Sequence, residues 1–399
     1  MPSRTVPVYL AAGAFFAAIA TRGFLVPLRA NELGANRFLV GLLFTVATLA
    51  AALVALPGGF LADRMGRRLM LALSATLAGL SQLLLAASGS VPLYLLWQVV
   101  GGIGAGIAQA ALFAALVDAV PDARRGRAFG WMTLSMQFGF LAGPALGGLL
   151  LGFVSLSVGL YVSSALYLVA LGSVFWFGRE HPREARSGRD FGRTLVEISR
   201  RPGFWPVVVG MLAATLVWGT TQAYLPVFGK QVLGLPGSAI GYLLALQAVA
   251  NGLSRIPAGR IVDRVGRKAW IVAGGVGVYA LTLLVLPHLT GFWWPALLLV
   301  ATVPFLGTAF IAIGVVFSGL GGQGTQGTAM GVYTLVLFLG LAVGPVLFGP
   351  VMDLRGYTAG FSLCALVAIS LTAAMLMLRA QDARLRRPAL ALPPASPGR

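Results

Sequence analysis

The runs GFLADRMGRR (59–68) and GRIVDRVGRK (259–268) each set one aspartate among arginines and glycines, in a chain where only 10% of residues are charged. In each run a carboxylate, Asp63 or Asp263, lies just before an apolar segment. There it can accept hydrogen bonds from the free amides of a helix start and meet that helix's positive end. Arg64, Arg67 and Arg68 in the first run, and Arg264 and Arg267 in the second, can pair with the carboxylate or with lipid phosphates. Gly59 and Gly259 allow a helix end to approach a neighbour closely, and Gly66 and Gly266 can supply a turn conformation denied to other residues. The cluster reads as a conformational gate whose contacts form in one state and break in another. A role limited to fixing topology would leave the glycine and aspartate spacing without a purpose.

A second set of residues consists of polar side chains inside apolar runs, where they are costly and therefore candidates for a binding site. Arg22 either faces a cavity and attracts an anionic group or reaches an interface toward Glu32. Gln98, Gln137, Trp218, Gln222, Tyr224, Gln247 and Asn251 are candidates for the same cavity, with interhelical hydrogen bonding as the alternative. Gln247 and Asn251, four apart, share one helical face. Amides and aromatics suit a moderately apolar organic solute better than a sugar phosphate or a multivalent ion. Arg255, eight residues before Asp263, reads as part of an ion pair in the gate. No acid falls clearly at mid-span, with Asp118 and Glu32 near span ends, so a proton-carrying carboxylate is not identified.

The elements that must position these residues follow from composition. With 58% hydrophobic residues and a mean hydropathy of +0.88, the chain departs from a soluble domain and reads as a bilayer protein. Its 399 residues hold about a dozen apolar runs near the ~20 residues that cross a hydrocarbon core. Helices are expected because lipid offers no partner to backbone amides, and the alternation of a membrane barrel is missing. Spans fall near 7–28, 38–60, 69–87, 92–118, 128–151 and 158–178, then 203–228, 238–260, 268–287, 292–318, 329–351 and 358–378. A six-helix bundle over 1–178, a charged linker over 179–201, a second bundle over 202–378 and a disordered tail over 379–399 are expected.

The net charge of +18 would suit a nucleic-acid binder, but its distribution alternates from loop to loop as cationic cytoplasmic loops require. Both termini, the linker and both charged runs then lie inside, and the cations also face anionic headgroups. One cysteine, Cys364, and two histidines provide neither a disulfide nor a metal site.

The halves align at an offset of two hundred: Gly41 with Gly241, Pro57 with Pro257, and the charged runs with each other. GWMTLSMQFGFLAGPALGG from Gly130 then matches GVYTLVLFLGLAVGPVLFG from Gly331, pairing Gly139, Gly143 and Pro144 with Gly340, Gly344 and Pro345. Two equivalent six-span halves are the signature of a parallel-repeat transporter. The chain resembles the major facilitator superfamily over nearly its whole length. The loop signature G-x-L-x-D-R-x-G-R-R/K is complete at 59–68 and nearly so at 259–268, with Ile261 in place of Leu. The span-5 motif G-x8-G-x3-G-P-x2-G-G is matched at Gly130, Gly139, Gly143, Pro144, Gly147 and Gly148. Physically these glycines make a smooth packing face and Pro144 a bend.

The resemblance implies twelve helices in two pseudo-symmetric bundles, alternating access, and exchange of a small organic solute for protons as in the drug and organic-solute antiporter branch. Gln98 stands where proton-coupled members commonly carry the arginine of R-x-x-Q-G, which keeps uptake or facilitated diffusion open. A monomer in the plasma or inner membrane, without cofactor, nucleic-acid partner or enzymatic activity, is expected. No phosphate-binding G-x4-G-K-S/T loop is present, and GQGTQG (322–327) follows an apolar helix where a dinucleotide site needs a strand.

Overall fold

The computed structural model describes residues 5–120, 125–175, 196–320 and 326–385. The side chains of some helical residues, Asp63, Asp118, Gly59 and Gly130 among them, fall outside the described set, as do the charged linker over 179–195, most of GQGTQG and the tail from 386. The described residues are helical and contain no strand.

In chain order the helices are α1 (Val6–Glu32), α2 (Arg37–Met65), α3 (Arg67–Ala87), α4 (Val91–Ala119), α5 (Arg125–Leu151), α6 (Leu156–Val174), α7 (Phe204–Gln231), α8 (Gly237–Arg264), α9 (Lys268–Val285), α10 (Trp293–Leu320) and α11 (Gln326–Leu385). The last consists of two helical arms joined at Gly356, where a φ of 82° and a ψ of 172° break the helix. Its arms on either side correspond to the two final apolar runs. Ten helices are long and apolar enough to cross a membrane. The expectation of twelve spans differs from that number for two reasons: the arms of α11 count as one helix, and α8 is too polar, carrying Gln247, Asn251, Arg255 and Arg260.

Local chemistry sets the boundaries. Asn36 caps α2, its Oδ1 accepting the Leu39 amide at 2.9 Å, which satisfies one of the orphan donors of a helix start. Gly66 separates α2 from α3 at φ 89°, the region that favours glycine. Its counterpart Gly266 does not take a positive φ. There α8 ends on Arg264, with extended backbone at Val265, so the two copies of the charged run share residue types but turn differently.

Packing follows the repeat. In the first bundle α1 packs on α5 and α6, α4 on α2 and α3, and α3 on α6. In the second α7 packs on α11, α10 on α8 and α9, and α9 on α11. The bundles meet along two seams, α2 against α11 and α5 against α8. Because α2 corresponds to α8 and α5 to the first arm of α11, the seams are exchange images of each other. Outward faces carry apolar side chains such as Leu53, Phe138, Leu168 and Leu253, as lipid solvation requires.

Candidate functional site

The site lies between the bundles: among the described residues, hydrogen bonds join them at one face, and a small cavity lies further along α2 and α11. On the sealed face the start of α2 rests on Asp353, in the first arm of α11. The Arg37 and Phe38 amides donate to its two carboxylate oxygens at 2.8 and 2.9 Å. Two orphan amides of one bundle are thus satisfied by an anion of the other, at the positive end of the helix. The Arg37 guanidinium donates to the Met352 carbonyl at 2.5 Å and lies 4.5 Å over the Tyr357 ring. Thr45 donates to the Ala342 carbonyl at 2.6 Å, and Lys230 pairs with Glu32 at 3.0 Å.

Glycines allow this closeness. A Cβ on Gly41 would fall 2.6 Å from the Pro345 carbonyl oxygen, and one on Gly148 would fall 2.8 Å from the Gly241 Cα. Both lie below the separations that real Cβ atoms adopt. The rest of the span-5 glycine stripe packs inside the first bundle: a Cβ on Gly139 or Gly143 would meet the α1 backbone at 2.6 Å, and one on Gly147 would meet Phe24 at 2.8 Å. Gly344 repeats that relation on α7, with the Leu216 carbonyl at 2.7 Å, and Gly340 lies against Thr215. Pro144 and Pro345 sit within α5 and α11, their carbonyls turned to the seams at Gly241 and Gly41.

Tyr224, expected in the cavity, belongs to the seal. Its fully buried hydroxyl lies 2.7 Å from the Pro345 carbonyl and 3.0 Å from that of Arg37, so it joins α7, α11 and α2.

Arg22 and Gln98 come together inside the first bundle. Arg22 is 6% exposed; its Nε donates to Gln98 Oε1 at 2.6 Å, its Nη2 donates to the same oxygen, and Nη2 also reaches the Trp97 carbonyl at 3.1 Å. Gly101 leaves the room that the guanidinium occupies. The interface position near Glu32 is not the one adopted: Glu32 pairs with Arg29 and Lys230.

Away from the sealed face lies a cavity of about 110 Å³ lined by Ala52 and Ala55 of α2, Gln109, Ala110 and Phe113 of α4, and Gly331, Thr334 and Leu335 of α11. Of the other expected cavity residues, Gln137 is half-buried on α5. Trp218 lies 6.2 Å from Tyr279, ring to ring, and Gln247 donates to the Tyr279 hydroxyl at 3.1 Å. Gln222 Oε1 and Asn251 Oδ1 are buried without a hydrogen-bond partner. Among the described residues Arg255 has no ion pair; it lies within electrostatic reach of Tyr333, and its Nε is buried without a described hydrogen-bond partner. In the charged runs Arg64 is exposed and Arg68 lies over Phe175, while Asp263, Arg264, Gly266 and Arg267 are exposed and Gly259 is half-buried.

The Major Facilitator Superfamily model matches residues 8–345 and, overlapping, 233–397. The chain belongs to this superfamily. It is 22% identical over 335 residues to the quinolone resistance protein NorA of Staphylococcus aureus (strain MSSA476), covering 83% of this chain and 85% of that one. Over 307 residues it is 30% identical to the class E tetracycline resistance protein of Escherichia coli, covering 72% and 71%. Among solved structures, a bacterial homolog of the human lysosomal transporter Spinster, in an inward-facing and unoccupied conformation, superposes with a TM-score of 0.76 at 17% identity, covering 96% of this chain and 98% of the other. The superfamily assignment makes the protein a multi-pass membrane transporter of small molecules and not an enzyme.

Sequence reasoning missed Asp353, Gln109, Phe113 and Thr334. Asp353 had one readable signal, an acid beside a glycine turn in MDLRGY at the end of an apolar run. Its partners lie 316 and 315 residues away and are main-chain amides, which no side-chain pattern announces.

Proposed function

We propose that the protein exports a small, moderately apolar organic solute in exchange for protons. The observation that carries this reading is the asymmetry of the gap: the described cross-bundle hydrogen bonds gather on the Asp353 face, and a cavity, taken here as the open side, lies between α2, α4 and α11. It describes one half-cycle of alternating access, in which separation of the seams exposes the cavity to the other side. Loop charge supports assigning the open face to the cytoplasm and the sealed face to the exterior, the state in which an exporter loads its cargo. Similarity to two drug-resistance proteins supports the direction. The runs at 59–68 and 259–268 lie at the open end, where they would hold the bundles together once the sealed face has parted. On this reading the protein works as a monomer.

Uptake, or passive equilibration, is the second reading. It is favoured by one observation: among the described residues no carboxylate lies near the middle of a helix. Proteoliposomes with and without an imposed pH gradient separate the two. Export predicts solute accumulation inside inverted vesicles driven by an acidic lumen; equilibration without accumulation would overturn coupling.

A further inference from the structure

Charge and composition place a linker up to residue 201 and a tail from residue 379. At both borders the fold goes further. Residues 196–199 make one helical turn ahead of α7, and α11 runs on to Leu385. Three contacts of different kinds tie these two stretches to the second bundle.

Ile198 stands in a charged sequence, EISRR, yet is fully buried and joins the apolar core that includes Phe204, Val207, Phe317 and Leu320. Arg201 donates to the Leu320 carbonyl at 2.5 Å. Leu320 ends α10, so a guanidinium meets an orphan carbonyl at the negative end of that helix. Asp382, near the end of α11, accepts the Gly203 amide at 2.7 Å. Gly203 is the N-cap of α7, holds φ at 89° and has no side chain with which to cap. The last helix therefore brings an anion to the positive end of α7 and satisfies the amide that the second arm of a capping box would take. The Glu197–Arg201 pair, at 2.6 Å, is solvent-exposed on the glutamate side and adds little by itself. It steers the guanidinium. Every described hydrogen bond from residues 196–203 to another element ends on α10 or α11.

We propose that residues 196–203 and the last turns of α11 form a clasp, which makes the end of the linker and the start of the tail fixed parts of the second bundle. On this assignment the second bundle begins at residue 196. When the bundles tilt against each other, the pull of the connecting chain reaches α7 and α10 together through Ile198 and Arg201, and the first turn of α7 is spared from unwinding. The motion belongs to the alternating-access reading above, on which this role of the clasp rests.

Two pairs of spin labels on the full chain test it by double electron–electron resonance. Labels at Arg200 and Ala380, both exposed, report the clasp; labels at Arg200 and Leu69, exposed at the start of α3, report the bundles. In the wild type and in Gly241→Leu, which wedges the α5–α8 seam, the first distance should stay single and narrow, while the second shifts by several ångströms, about the size of the added side chain. Arg201→Ala combined with Asp382→Ala should broaden the first distance. Asp382→Ala alone should speed hydrogen exchange at residues 203–207 about fivefold, as loss of one cap does, with the middle of α7 unchanged as the control for folding. A first distance that is broad in the wild type, that moves in step with the second, or that ignores the double substitution overturns the clasp, and so does unchanged exchange in Asp382→Ala. A second distance that stays put in Gly241→Leu would count against bundle motion and leave the clasp, judged on the first distance, standing.

Discussion

The hydroxyl of Tyr224 on α7 lies 3.0 Å from the main-chain carbonyl of Arg37 on α2, so a phenol of one bundle fastens the first turn of a helix in the other. Gly41 and Gly349, one from each bundle, leave the space this hydroxyl fills. Tyr224→Phe keeps the ring and deletes the donor, leaving a buried carbonyl less well satisfied. The sealed state should lose about 1 kcal/mol, read as a larger open fraction at that face in double electron–electron resonance between labels on α2 and α11.

Asp353 holds both the Arg37 and Phe38 amides. Removing a helix-capping acceptor costs about 1 kcal/mol per cap, so Asp353→Ala should speed hydrogen exchange in the first turn of α2 by about tenfold while the middle of α2 stays protected. Unchanged exchange would show that Asn36 alone secures the turn.

Gly241 meets Gly148 where no Cβ fits. Gly241→Leu should hold the α5–α8 seam apart, abolish transport at normal membrane abundance, and lengthen the α5–α8 label distance by several ångströms, about the size of the added side chain.

Arg22 depends on Gln98 as its acceptor. Gln98→Leu leaves a buried guanidinium short of partners and should cost about 3 kcal/mol, whereas Arg22→Met combined with Gln98→Leu should recover much of that loss. Thermal unfolding of the two single variants and the double in detergent measures the coupling; additive losses would refute it.

Asp63→Asn tests the charged run at the open end. It should reduce transport at unchanged surface abundance, because that run is expected to latch the bundles in the alternate state. Wild-type rates would show that its arginines serve topology alone.

The spans were readable because lipid imposes one requirement, an apolar run long enough to cross with its amides satisfied internally. The repeat then paired α2 with α8 and α5 with the first arm of α11. One element fits that logic less well: α8 carries more polar residues than the other spans, while the boundary expected between the last two runs falls at the non-helical Gly356. Residue roles were harder to read. Tyr224 is an amphipathic side chain in a span, so a cavity and a seam look alike in sequence, and the carbonyls that decide between them carry no signature. Arg22 and Gln98 were each visible as costly polar residues, yet their mutual bond depends on how α1 packs beside α4. Arg255 was expected to meet an acid because its neighbours in the chain include Asp263; along the helix that acid points out to solvent.

The exchange relation between the α2–α11 and α5–α8 seams has a pharmacological corollary. Rigid bundles related in this way cannot peel along one border while the other stays shut, so a small molecule wedged at either border would prop both. Such a compound would arrest turnover from the face away from the cargo, and raising the cargo concentration would not displace it.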